Sequence, residues 1–399
     1  MAIAIGSLTT FNSCKKKGCT DETATNYNEE AKKDDGSCVF ADPTEFIISE
    51  NITTNTTWET GKTYILADRI AVTAGATLTI QPGVIVKGEA GTGANATALI
   101  IARDAKIMAQ GTATQPIIFT SIADEIQPGQ IASPNLPTDL DGLWGGLIVL
   151  GNATISADAA SVQIEGIPVS DANGLYGGTQ DADNSGVISY VSIRHGGANI
   201  GEGNEINGLT LGGVGSGTTI DHVEIIANQD DGIEWFGGTV NVNNAVVWNA
   251  GDDAIDTDQS WAGTLNNFIV INAGDECFEL DGPEGAYEAK HTIKNGSVKA
   301  ADADGLVDLD ANSFVDMMNI YFFELSSGQD FDQIPTDFGC TFSSLEATIP
   351  DGEAVTDYFM DGSDASVTAV ASGANTVGAT KSEFAGWSWA DIDGALTDF

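Results

Sequence analysis

Four acidic segments recur in the second half of this chain: Asp230-Asp231-Gly232-Ile233-Glu234, Asp252-Asp253-Ala254-Ile255-Asp256, Asp275-Glu276-Cys277-Phe278-Glu279 and Ala303-Asp304-Gly305-Leu306-Val307. Aligned on Gly232, Ala254, Cys277 and Gly305, they place Asp231, Asp253, Glu276 and Asp304 in one column and Glu234, Asp256 and Glu279 in a second. Carboxylates repeated at equivalent places are hard oxygen ligands of the kind Ca²⁺ takes, at ~2.3–2.6 Å. Without a cation, like charges ~4 Å apart repel by about 1 kcal/mol in water and about 4 kcal/mol near a protein surface. The plainer alternative is that these side chains sit on wet turns, point apart and are screened.

Paired carboxylates could also do acid–base work. Asn228-Gln-Asp230-Asp231-Gly232 followed by Gly251-Asp252-Asp253 faintly resembles the carboxylate motifs of polygalacturonases. Inverting hydrolysis needs an acid and a base ~6.5–9.5 Å apart, which adjacent turns of a repeat could supply. That family also carries a Gly-His-Gly and an Arg-x-Lys segment; here the next turn reads Gly274-Asp275-Glu276-Cys277 and no Arg-x-Lys follows. Elimination on a polyuronate needs a cationic base, and residues 195–289 contain no Lys or Arg. His195 and His222 are single histidines on strand-like runs and read as hydrogen-bonded structural residues.

The elements that must position the acids are short and β-rich. Each acidic segment follows a strand-like run, namely 220–227, 242–248, 265–271 and 291–299. The steps between Gly232, Ala254, Cys277 and Gly305 are 22, 23 and 28 residues, the length of one coil of a β-solenoid. No helical periodicity of useful length competes. The expected fold is all-β, a right-handed parallel β-helix, with Cys277 on the inner column as a core residue and Trp235, Trp248 and Trp261 as packing. The stretches Gly75–Gly83 and Gly111–Ser121 resemble the opening coils of bacterial parallel β-helices. Segments 141–151, 188–197 and 204–215, with the acidic ones, resemble a group of uncharacterised bacterial surface proteins over roughly residues 65–310. That resemblance implies the fold and a secreted location, and no activity.

Charge narrows the partners. Fifteen bases against 58 acids give a net charge of −43, which excludes a nucleic-acid partner that needs clustered Lys and Arg. Between Lys106 and Lys290 the single base is Arg194, so bound cations or a high-salt medium are expected to compensate the middle of the chain. No run of ~18 apolar residues is present to cross a bilayer as a helix.

The N-terminus reads separately. Cys14, after the apolar stretch that ends at Ser13 and before Lys15-Lys16-Lys17, resembles a bacterial lipoprotein signal and tether. The resemblance implies lipid at Cys14, an outer-membrane lipid partner and a cell-surface location. Residues 19–38 resemble a cysteine-bounded module of secreted Bacteroidota proteins, C-T-D-x-x-A-x-N-Y-N…D-D-G-S-C. It implies a Cys19–Cys38 disulfide stapling a segment too small for a core of its own. Asp21, Asn26, Asn28, Asp34 and Asp35 are candidate Ca²⁺ oxygens there, or members of Asx turns. The expected organisation is a tether over 1–18, the module over 19–43 and a β-helix over 44–399 with a C-terminal cap from about 330. Cys340 has no assigned role. The function expected is a non-catalytic, cation-binding adhesion or structural scaffold. The alternatives are a carbohydrate-active enzyme acting on a surface glycan, and an accessory subunit of an outer-membrane protein complex.

Overall fold

The structure is a computed structural model that describes residues 16–39, 44–199, 206–331 and 339–399; Cys14 lies outside them. Two compact units divide the chain, residues 1–44 and 45–399. The first is held by the Cys19–Cys38 disulfide, with Cα atoms 4.7 Å apart, as the module resemblance implies.

The second unit is a parallel β-helix. Its longest sheet runs from Glu45–Ile48 through Gly186–Arg194, Thr219–Asn228, Asn241–Ala250, Thr264–Ile271, His291–Lys299 and Val315–Phe323 to Thr341–Ala347 and Val367–Ala369. A second sheet stacks shorter strands: Arg69–Val72, Ala98–Ile101, Leu147–Leu150, Leu209–Gly212, Ile233–Phe236, Ile255–Gln259, Phe278–Leu280 and Asp308–Leu309. Register brings like residues onto like. Ile80, Ala109, Ile188, Ile220, Val242, Leu265, Ile293 and Met317 form one continuous inner column with at most 1% exposure. Each large apolar member contributes on the order of 1.5–3 kcal/mol by leaving water. Cys277 is fully buried within this core, and Trp235 stacks on Trp261 with ring centroids 4.6 Å apart.

A left-handed residue near the middle of each long strand bends it, and a second one recurs at or just past the strand end at His195, Ala227, Asn249, Asn272 and Glu324. Gly186–Arg194 pairs through residues 186–189 with Lys106–Gln110 and through residues 191–193 with Ile117–Ser121. Two strands joined by a turn thus become one strand bent at Tyr190. Tyr190, His222, Asn244, Asn267, Asn295, Asn319 and Ser344 are successive register partners, all with φ between 51° and 58°. Asn tolerates this left-handed region better than other non-Gly residues. Asn267 Nδ2 donates to Asn244 Oδ1 at 2.6 Å and Asn319 Nδ2 to Asn295 Oδ1 at 3.0 Å, while Asn295 Nδ2 donates to the adjoining Asn266 Oδ1 at 2.7 Å.

Thr341–Ala347 and Val367–Ala369 extend the long sheet. The last segment returns along the coils. Phe384, Trp387, Trp389, Ala390 and Leu396 pack on Ile226, Trp248, Ile269 and Ile271. Glu224 accepts the backbone N–H groups of Trp389 at 3.2 Å and Ala390 at 3.0 Å. Arg194 lies 3.7 Å from the same carboxylate and 4.7 Å from the Trp389 ring centroid, with no exposure. The one base of the middle region is therefore engaged inside the fold, and the acidic segments draw no counter-charge from it.

Candidate metal centre

The short-strand sheet carries the acids. Register aligns Thr210, Glu234, Asp256, Glu279 and Asp308 on successive coils, so Glu234, Asp256 and Glu279 form the second column read from the sequence. The first column holds for three coils. Asp231 Oδ1 accepts the Asp253 amide at 3.0 Å, and Asp253 Oδ1 accepts the Glu276 amide at 2.7 Å. The fourth coil corrects the alignment. Glu276 bridges to Gly305, while the Asp304 amide donates to Asp275 O at 2.9 Å. Asp304 is thus the partner of Asp275, and the inner place opposite Cys277 belongs to buried Leu306. The physical reason is the strand pairing that follows: Glu279 against Asp308 and Leu280 against Leu309 make this coil one residue longer than the glycine suggests.

Asp231, Glu234 and Asp256 converge, with one carboxylate oxygen from each within 4.8 Å of the others, and all three are buried. Asp230, Asp231 and Asp252 form a second such group at a more exposed edge. Asn207 donates its Nδ2 to Glu234, and its buried Oδ1 has no hydrogen-bond partner. Burial first, and then the neighbouring carboxylates, push Asp231, Glu234 and Asp256 well above the usual carboxylate range. Burial and a hydrogen bond with Glu279 push Asp253 up to about 10. Burial, then Glu284 and Glu165, push Asp258 up to about 7; burial and Asp275 do the same for Glu276. Such a row either keeps protons at neutral pH or exchanges them for a cation, because buried like charges cannot all ionise unpaired.

A cleft of about 520 Å³ opens beside the row. One wall comes from the insertion that carries the antiparallel pair Val162–Gln163 and Leu175–Tyr176, and the other from Ile255–Gln259 and Glu284. Its ionisable carboxylates are Asp158, Glu165, Asp258 and Glu284. Gln259 Nε2 donates to Tyr176 Oη at 3.0 Å and to Glu284 Oε2 at 2.7 Å. Sequence reasoning missed these residues. Asp258 adjoins an acidic repeat, which is the one available signal, whereas the insertion has no counterpart in other coils. A smaller cavity of about 170 Å³, between Thr60 and Ile131, is lined by no ionisable side chain among the described residues.

The remaining candidates are placed elsewhere. In the N-terminal module Asp21 Oδ1 accepts from the backbone of Thr23, Asn28 Oδ1 from Glu30, Asp34 Oδ1 from Gly36 and Asp35 Oδ1 from Ser37, each two residues on, which is the Asx-turn arrangement. Asn26 ties Ser37 O and the Val39 amide. Among the described residues, Asp21, Asp34 and Asp35 do not belong to the converging acidic groups. His222 lies in Thr219–Asn228 and His195 directly follows Gly186–Arg194, and neither belongs to a converging acidic group. His195 Nδ1 is 2.5 Å from Leu140 O, and His222 sits between Asp221 and Glu383 and stacks on Tyr190. Trp235 and Trp261 are buried, and Trp248 is covered by the C-terminal segment, so all three pack.

Residues 50–388 match the family model described as a pectate-lyase like beta helix domain. No curated protein and no solved structure matches the chain.

Proposed function

The chain belongs to the pectate-lyase-like β-helix family, and within it we propose a non-catalytic, Ca²⁺-binding surface protein that serves as an adhesion or structural scaffold. The observation that carries this reading is the convergence of Asp231, Glu234 and Asp256 beside the unpartnered Asn207 oxygen. Ca²⁺ takes six to eight oxygens; these four side chains supply part of that set and water the rest. The reading extends to a cell-surface location with lipid on Cys14 as the outer-membrane anchor, and a surface glycan or an outer-membrane protein complex as the partner. The carbohydrate-active alternative draws its support from the cleft beside the acidic row.

The test is thermal unfolding of the full chain after chelation and after return of Ca²⁺. A cation that binds only the folded state stabilises it by about 2.7 kcal/mol at a hundredfold excess over Kd. Ca²⁺ is expected to raise Tm more than NaCl of equal ionic strength, and Asp231→Asn to abolish the difference. Equal rescue by NaCl would show screening of a −43 chain and refute the site. Loss of glycan turnover in Asp231→Asn would replace the scaffold with the enzyme.

A further inference from the structure

We propose that the cleft between the 151–185 insertion and Ile255–Gln259 binds a ligand carrying ammonium groups, an amino-sugar oligomer or a polyamine. The inference is separate from the Ca²⁺ site and uses other residues. Asp158, Glu165, Asp258 and Glu284 line the cleft, and among the described residues no Lys, Arg or His lines it. The sign of the charge alone sets it against an acidic glycan.

Gln259 supplies the independent observation. It is 2% exposed, and its Nε2 is committed to Tyr176 Oη and to the Glu284 carboxylate. A carboxylate accepts and cannot donate, so this contact fixes which end of the amide is nitrogen. Gln259 Oε1 is then a buried acceptor without a partner, on a residue that lines the cleft. Leaving such an atom unmet costs about 1–3 kcal/mol, and the missing partner must be a hydrogen-bond donor. An ammonium group offers three donors and no acceptor, which suits both this oxygen and the surrounding carboxylates. Tyr176 and Phe236 also line the cleft, their rings 5.9 Å apart, edge to face and almost fully buried. The volume of about 520 Å³ is within the range of small-molecule sites.

Isothermal titration of the full chain in saturating Ca²⁺ tests this with four probes: glucosamine trimer, spermidine, N-acetylglucosamine trimer and galacturonic acid trimer. The charged amines are expected to bind at neutral pH, and the acetylated and acidic trimers are not. Tighter binding of glucosamine trimer than of spermidine assigns the amino sugar; the reverse assigns the polyamine. Asp258→Asn with Glu284→Gln is expected to weaken binding at least about tenfold, although it removes only two of 43 net charges. Glu165→Gln, on the insertion wall, is the second variant should the double substitution impair folding. Unchanged affinity in both variants would mean diffuse attraction to an acidic surface and overturn the proposal. Equal binding of the acetylated and free trimers would overturn it as well. Because Ca²⁺ is present throughout, failure here leaves the metal centre standing, and failure of the metal centre leaves these titrations interpretable.

Discussion

Removing Ca²⁺ should invert the ordinary pH dependence of stability between about pH 5 and 8. In a carboxyl whose folded pKa is raised, the native state keeps a proton that the unfolded chain has already lost. Stability is then greatest below the unfolded value of ~3.9 and falls as pH rises, until the folded group ionises. Asp253, held up to about 10 by burial and Glu279, loses stability across the whole window. Three pH units correspond to about 4 kcal/mol. Asp258, raised to about 7, contributes in the same direction up to that pH. The carboxyls are coupled, so about 4 kcal/mol is the scale for the row rather than for each member. That amounts to a fall in Tm of roughly 5–10 °C. Ordinary surface carboxylates are already ionised by about pH 5 and add no slope there. The assay is calorimetry of chelated protein at several pH values, repeated in saturating Ca²⁺, where the slope should flatten because the cation replaces the protons. A chelated Tm that is constant or rises from about pH 5 to 8 would refute the reasoning.

Two further outcomes follow from the supports of the coils. Asn267→Ala should cost about 2–3 kcal/mol in urea unfolding, because alanine resists φ of 58° and the bonds to Asn244 Oδ1 and from the Thr380 amide are lost; Asn267→Gly, free of the conformational penalty, should cost less. Glu224→Gln should destabilise by about 3–5 kcal/mol, since it strips the charge partner from a fully buried Arg194; limited proteolysis should then cut near Trp387 first, and an unaltered digestion pattern would count against the role given to Glu224.

Four coils of the second half are legible because each carries a β-branched run followed by an acidic turn, and neither feature needs tertiary context to be recognised. The bend column was present in the sequence as Asn244, Asn267, Asn295 and Asn319 at coil spacing. Tyr190, His222 and Ser344 occupy the same bend, so residue type alone does not define it. The fourth acidic coil misled because Gly305 resembles Gly232, whereas the pairing of Leu280 with Leu309 decides the register. The cleft was not readable at all. Its central contact joins Tyr176 to Gln259 across 83 residues, and the insertion that supplies Tyr176 follows no repeat.

The acidic columns show why composition could not separate a solvated turn from a metal centre. Asp231 uses Oδ1 to accept the Asp253 amide, a structural task that any Asp or Asn at that place could perform. The same carboxylate also converges with Glu234 and Asp256, where a neutral amide supplies no charge to a cation. Both tasks select a short oxygen-bearing side chain, so the repeat of Asp-Asp-Gly-Ile and Asp-Asp-Ala-Ile is expected from either one. Only burial distinguishes them. A capping Asp on a wet turn has no reason to bury Glu234 and Asp256 beside it, and burying three acids together is unfavourable unless protons or a cation compensate. Asp231→Asn therefore separates the tasks: it keeps the amide acceptor and removes the charge, so an effect confined to Ca²⁺-dependent stability belongs to the metal centre and not to the coil.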